Sequence, residues 1–318
     1  GGSGKVYMVR DGLFRDVGAT LHWHPSDRND ASQNISLANV SGKFRFSGAA
    51  AHASAAPWRG RSALDGVEVM NNAVNMMREH VPDGTRIHYV ITDGGQAPNV
   101  VPDKAEVYYY VRNADPKVVR EVIGRIQKAA EGAAMATETK VTFEQTGGVY
   151  NMLPNETLAR VVDRSLREVG GVTWTAEEKA FGEAMAKQLP ANTAKLESVG
   201  QIQPLVIGGG GGGSTDVADV SWVTPTAGMG AATWVPGTPA HSWQAVAAGG
   251  TSIATKGGVV AAKTLALSGA RLFRDPALID KAKSELDTRR GEGFVYQAMV
   301  GDRAPPLDYR RKAGAKAE

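Results

Sequence analysis

The chain has 318 residues, 42% hydrophobic and 22% charged, with a formal net charge of only +3. That balance describes a globular chain and excludes a disordered, collagen-like or broadly basic nucleic-acid-binding one. No apolar run reaches the roughly 18 residues of a membrane span, and the lack of cysteine removes disulfides, thiolate nucleophiles and cysteine metal sites, so any metal must be held by histidine and carboxylates.

At roughly 150 residues per domain the length predicts two domains. Residues 1–4 read Gly-Gly-Ser-Gly, and Lys5-Val6-Tyr7-Met8-Val9 reads as a strand, with no initiating Met or signal segment ahead of it. Leu21-His22-Trp23-His24-Pro25 reads as a second strand, on which His22 and His24 share a face and could approach one metal. Two imidazoles do not complete a zinc site, so surface or hydrogen-bonded histidines are the favoured reading of the pair taken alone.

From Ser41 to Gly147 the apolar period changes in an orderly way. Lys43-Phe44-Arg45-Phe46 alternates as a half-buried strand does. Leu64, Val67, Met70, Val74, Met77 and Val81 fall at helical spacing across Ser62–His80. Arg86–Ile91 and Ala105–Arg112 read as strands, separated by a loop with Gly94, Gly95, Pro98 and Pro102. Pro116 opens a helix to Ala133, and Thr139–Glu144 closes the series as a strand. The order is βαββαβ, a ferredoxin-like arrangement whose edge strand and one helix are free to pair with a second copy. Residues 39–148 thus read as a module inserted into an α/β domain made of 1–38 and 149–318.

In that second part, the six glycines Gly208–Gly213 read as a flexible loop. Ser214 or Asp216 would cap the helix that follows; a Gly-rich turn there also suits an anion, but the Lys of a phosphate loop is missing. His241 lies in the loop Thr238–Trp243, followed by a helix-like stretch to Leu267, and the chain closes on a basic tail from Arg303 to Glu318. No Gly-x-Ser-x-Gly elbow or dinucleotide fingerprint is present, which disfavours a serine hydrolase or a dehydrogenase.

Several residues outside regular elements could carry chemistry. His52 sits among small residues in Ser47–Trp58, where a ligand can approach closely; it is either an oxyanion donor or a solvent-facing loop residue. Arg112 is a guanidinium at a strand end, suited to a carboxylate, although Glu106 or Asp115 would satisfy it as simply. Asn99, in Pro98–Pro102, adds an amide from the same module. His80 and His88 need no role beyond capping or exposure. Trp58, Trp222, Trp234 and Trp243 lie near these loops, compatible with an aromatic acyl group or with packing.

Together, Gly1–Phe14, Leu21–Pro25, Gly48–Asp65 with its Ala-His-Ala-Ser, Pro98–Pro102, and Gly213–Thr226 with His241 resemble the M20 zinc metallopeptidase and amidohydrolase family of aminoacylases and carboxypeptidases, in particular its p-aminobenzoyl-glutamate hydrolase branch. The resemblance implies a two-domain α/β fold, a zinc-peptidase-like catalytic domain with an inserted lid and dimerisation domain. It implies hydrolysis of the amide bond of N-acyl or N-aroyl amino acids, with two zinc ions, or manganese or cobalt, in a complete site. His24 and His241 match metal ligands. His52 matches the lid histidine that polarises the scissile carbonyl, commonly across a dimer, while Asn99 and Arg112 match the pair that holds the substrate's carboxylate. His22 occupies a position not usually histidine in relatives and is given no role. The other ligands and the general base of relatives precede the position matching Gly1, so the expectation is that this chain alone is inactive or nearly so. A companion N-terminal fragment would supply them. The further expectations are an anionic acyl-amino-acid substrate, a homodimer through the lid, a cytoplasmic location and no nucleic-acid or membrane partner. The alternative is a non-catalytic binding or assembly subunit of the same fold.

Overall fold

A computed structural model describes residues 3–189 and 195–307. The tail residues Arg310, Arg311, Lys312 and Lys316 lie outside them. Helix α1, Gly4–Arg10, stands where a strand was expected. The reason is long-range: the Asp216 carboxylate accepts the Lys5 backbone N–H at 3.1 Å and its Nζ at 3.0 Å, placing negative charge at the positive end of the helix. Val6, Tyr7 and Val9 are buried by the turn so formed.

Strand β1, Thr20–Ser26, follows. It pairs in parallel with β8, Thr226–Ala232, setting His22 opposite Gly228 and His24 opposite Gly230. A second parallel pair joins β2, Gln33–Ile35, to β7, Ile207–Gly210. The first three glycines of the run are therefore strand rather than loop, because β2 supplies the pairing that their own propensity does not. Helices α4, Glu156–Val169, and α8, Ser252–Arg274, pack on β1 and β8, and Leu158, Val162, Leu166, Met229 and Ile253 fill the core between them. Helix α5, Ala176–Ala186, opens with a full capping box at Thr175 and Glu178. Helices α6, Val217–Ser221, α7, Trp243–Gly249, and α9, Ala277–Arg290, complete this part. Asp216 holds the N-cap position of α6 without bonding to it; its carboxylate serves α1 instead.

The inserted module has the expected order: β3, Ala38–Ser47; α2, Ala63–Met77; β4, Arg86–Asp93; β5, Lys104–Asn113; α3, Pro116–Ala136; β6, Lys140–Val149. Its antiparallel sheet runs β4-β5-β3-β6. Both helices cover one face, sealing Phe44, Phe46, Met70, Tyr109 and Ile126. Ser62 Oγ caps α2 at 3.1 Å from Asp65 N, and Asp115 caps α3, with Pro116 in its first turn.

Two crossings join the module to the rest. At the first, Leu37 N donates to Gly213 O at 2.8 Å; at the second, Tyr150 N donates to Asp219 Oδ2 at 3.1 Å, and Met152 N reaches back to Ser36 Oγ at 2.8 Å. Met299 is buried in the module's core, and Gln297 O accepts from Arg120 and from the Tyr150 hydroxyl, so the segment around 296–299 straps both parts together.

Candidate functional site at the hinge of the inserted module

The crossings frame a cavity of about 200 Å³ lined by His22, His24, Ser36, Met152, Thr215 and Gly228 among others. His22 and His24 therefore do share a face, as the strand spacing predicts. His24 Nδ1 lies 2.7 Å from Pro25 O, a contact that fixes the ring with Nε2 outward. The His22 ring is packed inward, its Nε2 buried without a hydrogen-bond partner. Burial, with His24 and Lys5 nearby, pushes its pKa down to about 4, so the imidazole is neutral near pH 7. Gly228 makes the room: a Cβ there would sit 2.4 Å from His22 Nε2.

His24 also faces an outer cleft of about 490 Å³ with Asp27, Asp30, Trp234, Thr238 and Ala240. His241 adjoins that cleft through Ala240, at φ 61°, a left-handed conformation that costs a non-glycine residue roughly 1–3 kcal/mol. Ser242 then caps α7, accepting from Ala245 N at 3.2 Å. The carboxylates of the cleft are already engaged. Burial alone would raise the Asp27 pKa, but Arg28 at 2.8 Å and the Gly237 N–H hold it below the ordinary value. Asp30 accepts from Ser32 N at 2.8 Å. Among the described residues no group of three or more histidine and acidic side chains could hold a metal ion. His24 and His241 by themselves do not fit the three protein ligands that a catalytic zinc takes.

Arg112 stands at the hinge end of β5. Its guanidinium donates to Ser214 Oγ at 3.4 Å and lies over the Tyr110 ring, 5.5 Å from its centre, with Nε buried and unpartnered. Neither carboxylate that could have satisfied it does so: Glu106 binds Lys43 and Arg45, and Asp115 caps α3. Because Thr215 lines the cavity of His22 and His24, Ser214 places Arg112 at the rim of that same site.

His52 and Asn99 are elsewhere. His52 bridges Val100, and Ala53 N donates to Asn99 O at 2.9 Å, so the two residues are neighbours in a pair of crossed loops. His52 Nδ1 accepts from Ser54 N at 3.3 Å and Ala55 N at 3.2 Å, which leaves Nε2 outward as a donor. These loops lie beyond the Ser47 and Lys104 ends of β3 and β5, whereas Arg112 pairs with Asn39 at the other end. Lys104 and Arg112 are eight residues apart along β5, about 27 Å at strand rise. Within one chain, then, Arg112 lies toward the hinge, bonded to Ser214 next to the cavity-lining Thr215, while Asn99 and His52 lie beyond the far end of the module's sheet.

Sequence reasoning passed over Ser36, Met152, Thr215 and Gly228. The two chain crossings bring Ser36, Met152 and Thr215 to the histidines and the β1–β8 register brings Gly228, and no local pattern announces either.

An inserted sheet covered by two helices on one side, hinged over a parallel α/β layer that carries paired imidazoles, defines a two-domain α/β fold of the zinc-peptidase kind. Residues 38–138 match the peptidase dimerisation domain of the M20 family. The chain is 38% identical over 314 residues to one of the subunits of p-aminobenzoyl-glutamate hydrolase from Escherichia coli (strain K12), covering 90% of this chain and 64% of that protein. It is 26% identical over 294 residues to Xaa-Arg dipeptidase of Mus musculus, covering 92% of this chain and 61% of that one. Among solved structures, an aminobenzoyl-glutamate utilization protein from Klebsiella pneumoniae superposes with a TM-score of 0.53 at 18% identity, over 82% of this chain and 56% of that one, which supports the fold. Residues 38–138 thus carry an M20 dimerisation domain, the chain as a whole is similar to proteins that share it, and it spans less than two thirds of the length of these relatives.

Proposed function

We propose that this chain carries the substrate grip and the lid of a metal-dependent amidohydrolase that cleaves the amide bond of N-acyl or N-aroyl amino acids. One observation carries the reading: a guanidinium without a carboxylate partner is held at the rim of a hinge cavity lined by two histidines. Arg112 pairs with the substrate's carboxylate through its planar fork. His52 donates to the carbonyl oxygen as that atom gains charge, and Asn99 joins Arg112 in holding the carboxylate. Since one chain keeps these groups apart, His52 and Asn99 act on a substrate held by Arg112 of a second copy, in a homodimer formed through the inserted module, taken as residues 39–148. The match to a dimerisation domain supports this pairing.

Members of the M20 family are metal-dependent; zinc is our choice here, with manganese or cobalt as substitutes, and His24 and His241 are two of its ligands. The rest come from outside the described residues, in a companion segment or subunit. The E. coli relative is itself named as one subunit among others of its hydrolase. No helix among the described residues is long and apolar enough to cross a membrane, and we place the protein in the cytoplasm.

The test is hydrolysis of N-acetyl-glutamate, N-benzoyl-glutamate and dipeptides by the intact protein, with zinc, manganese or cobalt and after chelation. Metal-dependent release of the free amino acid is expected; no release under any condition would overturn the reading. The lack of a three-ligand group among the described residues favours a second one, a non-catalytic binding subunit, for which calorimetry would find acyl-glutamate binding that persists in chelator without turnover.

A further inference from the structure

A further cavity, of about 280 Å³, opens beside α5 and shares no lining residue with the hinge cavity or the outer cleft. Val172, Trp174 and Val199 are buried and, with Leu196, form its apolar lining. Lys179 and Glu183 of α5, together with Glu197, are exposed and supply its charged lining. Pockets for drug-sized ligands run to about 300–1,000 Å³, so this one suits a molecule nearer the size of an amino acid.

The walls are fixed by the fold. Val172 N donates to Val199 O at 3.2 Å, and Asn29 Nδ2 donates to the same oxygen at 2.7 Å. Lys256 Nζ donates to Thr173 O at 3.0 Å while bound to Glu178 at 2.6 Å, which ties the segment leading into α5 to α8. Gly182 lets the Trp174 ring sit directly on α5, since a Cβ there would come within 2.6 Å of it. A pocket framed in this way is preformed, and binding in it needs no ordering of its walls.

Two features of the lining point to a ligand. The Trp174 Nε1–H is buried and has no acceptor among the described residues, which is costly unless a seated group accepts from it. The second is the charges. Arg160 with Glu156, Arg167 with Asp163 and Arg289 with Glu285 form ion pairs four residues apart. Lys179 and Glu183 are also four apart on one helix, yet among the described residues they pair neither with each other nor with any other group, and Glu197 has no cationic partner.

Two carboxylates, an ammonium and an N–H donor around an apolar lining select by charge. A simple carboxylic acid meets Glu183 and Glu197 unfavourably, and a simple amine leaves Lys179 and the indole N–H without an acceptor. A zwitterion with an apolar side chain satisfies all of them. We propose that this cavity binds a free α-amino acid with an aliphatic or aromatic side chain. Its ammonium lies between Glu183 and Glu197, its carboxylate accepts from Lys179 and the Trp174 N–H, and its side chain packs on Val172, Leu196 and Val199. The inference goes beyond the amidohydrolase reading and does not depend on it.

Calorimetry on the intact protein in chelator tests this, with L-leucine and L-phenylalanine set against 3-phenylpropionate, which lacks the amine, and 2-phenylethylamine, which lacks the carboxylate. One of the amino acids should bind one to one, about tenfold or more tighter than either analogue, as expected for the loss of a charge-assisted contact. Affinity should fall about tenfold in Lys179→Met and in the double variant Glu183→Gln with Glu197→Gln, and stay unchanged in Arg112→Ala. All three altered positions in the cavity are exposed, and unchanged thermal melts would show that the fold is kept. No binding of either amino acid overturns the inference, as does an analogue that binds as tightly, an affinity unmoved in both cavity variants, or one lost in Arg112→Ala. A protein that binds the amino acid here and hydrolyses no amide would overturn the amidohydrolase reading and leave this site standing.

Discussion

His22 stands directly opposite Gly228 in the β1–β8 register, and its Nε2 occupies the space that a side chain at residue 228 would need. The imidazole's inward packing and the glycine's lack of a Cβ are two halves of one arrangement. Gly228→Ala should therefore push the ring out or spread the strands, at a cost of roughly 1–3 kcal/mol as for other overpacked sites. Denaturant unfolding of the two proteins checks this, and an unchanged midpoint would show that the ring is not confined there. Gly228→Ala combined with His22→Ala should regain most of the loss.

Asp219 supplies a pH-dependent prediction. It is fully buried at the second crossing, accepting from the Tyr296 hydroxyl at 2.7 Å and from Tyr150 N at 3.1 Å. Burial, aided by the nearby Asp216, outweighs those hydrogen bonds and pushes its pKa up to about 7 from an ordinary 3.8. The folded chain thus keeps a proton that the unfolded chain releases. The stabilising effect of that proton is complete below about 3.8 and is lost as pH rises toward 7. Asp219→Asn cannot titrate, and its amide mimics the protonated acid, with its oxygen accepting from Tyr150 N and its NH2 donating to the Tyr296 hydroxyl oxygen. The stability difference should move in the variant's favour from pH 5 to pH 7.5, as wild type loses the effect of its proton and the variant does not; thermal melts showing a difference constant with pH would remove Asp219 as the source.

Glu178 should behave in the opposite sense. Burial alone would raise its pKa, but Lys256 at 2.6 Å, Ser252 at 2.6 Å and the Thr175 N–H bring it down to about 2. Its contribution is present above about 4.5 and is lost as pH falls toward 2. Glu178→Gln, which keeps the shape and removes the charge, should cost about 1.5–3 kcal/mol at pH 7, as expected for hydrogen bonds to a charged group. The difference from wild type should shrink in acid, measured by urea unfolding at pH 7 and pH 3.

What the sequence made legible follows from local pattern. Phe44 and Phe46 alternate with Lys43 and Arg45, Val67, Met70 and Val74 recur at helical spacing, and Pro116 marks a helix start; those signals suffice for the inserted module. Lys5 to Val9 was too short a run to separate strand from helix, and what decided it was Asp216, 211 residues from Lys5. The glycines 208–210 have no side chain to declare a strand, so their pairing with β2 could not be read. At the site, the shared face of His22 and His24 was legible from their spacing. The release of Arg112 from Glu106 was not, because Lys43 and Arg45 claim that carboxylate from the neighbouring strand β3. Nor does a linear pattern reveal that Asn99 lies beyond one end of β5 while Arg112 stands at the other.

That separation also gives the most direct test of the account. His52→Ala should lower turnover by about a hundred- to a thousandfold, as loss of an oxyanion donor does, and Arg112→Ala should abolish the carboxylate grip. Mixed after dissociation and reassociated, the two impaired proteins should regain activity. A mixed dimer holds one site with Arg112 from the first variant and His52 from the second, so random pairing restores about a quarter of the wild-type rate. A mixture no more active than its components would mean that His52 and Arg112 do not meet across two copies, and would contradict the account.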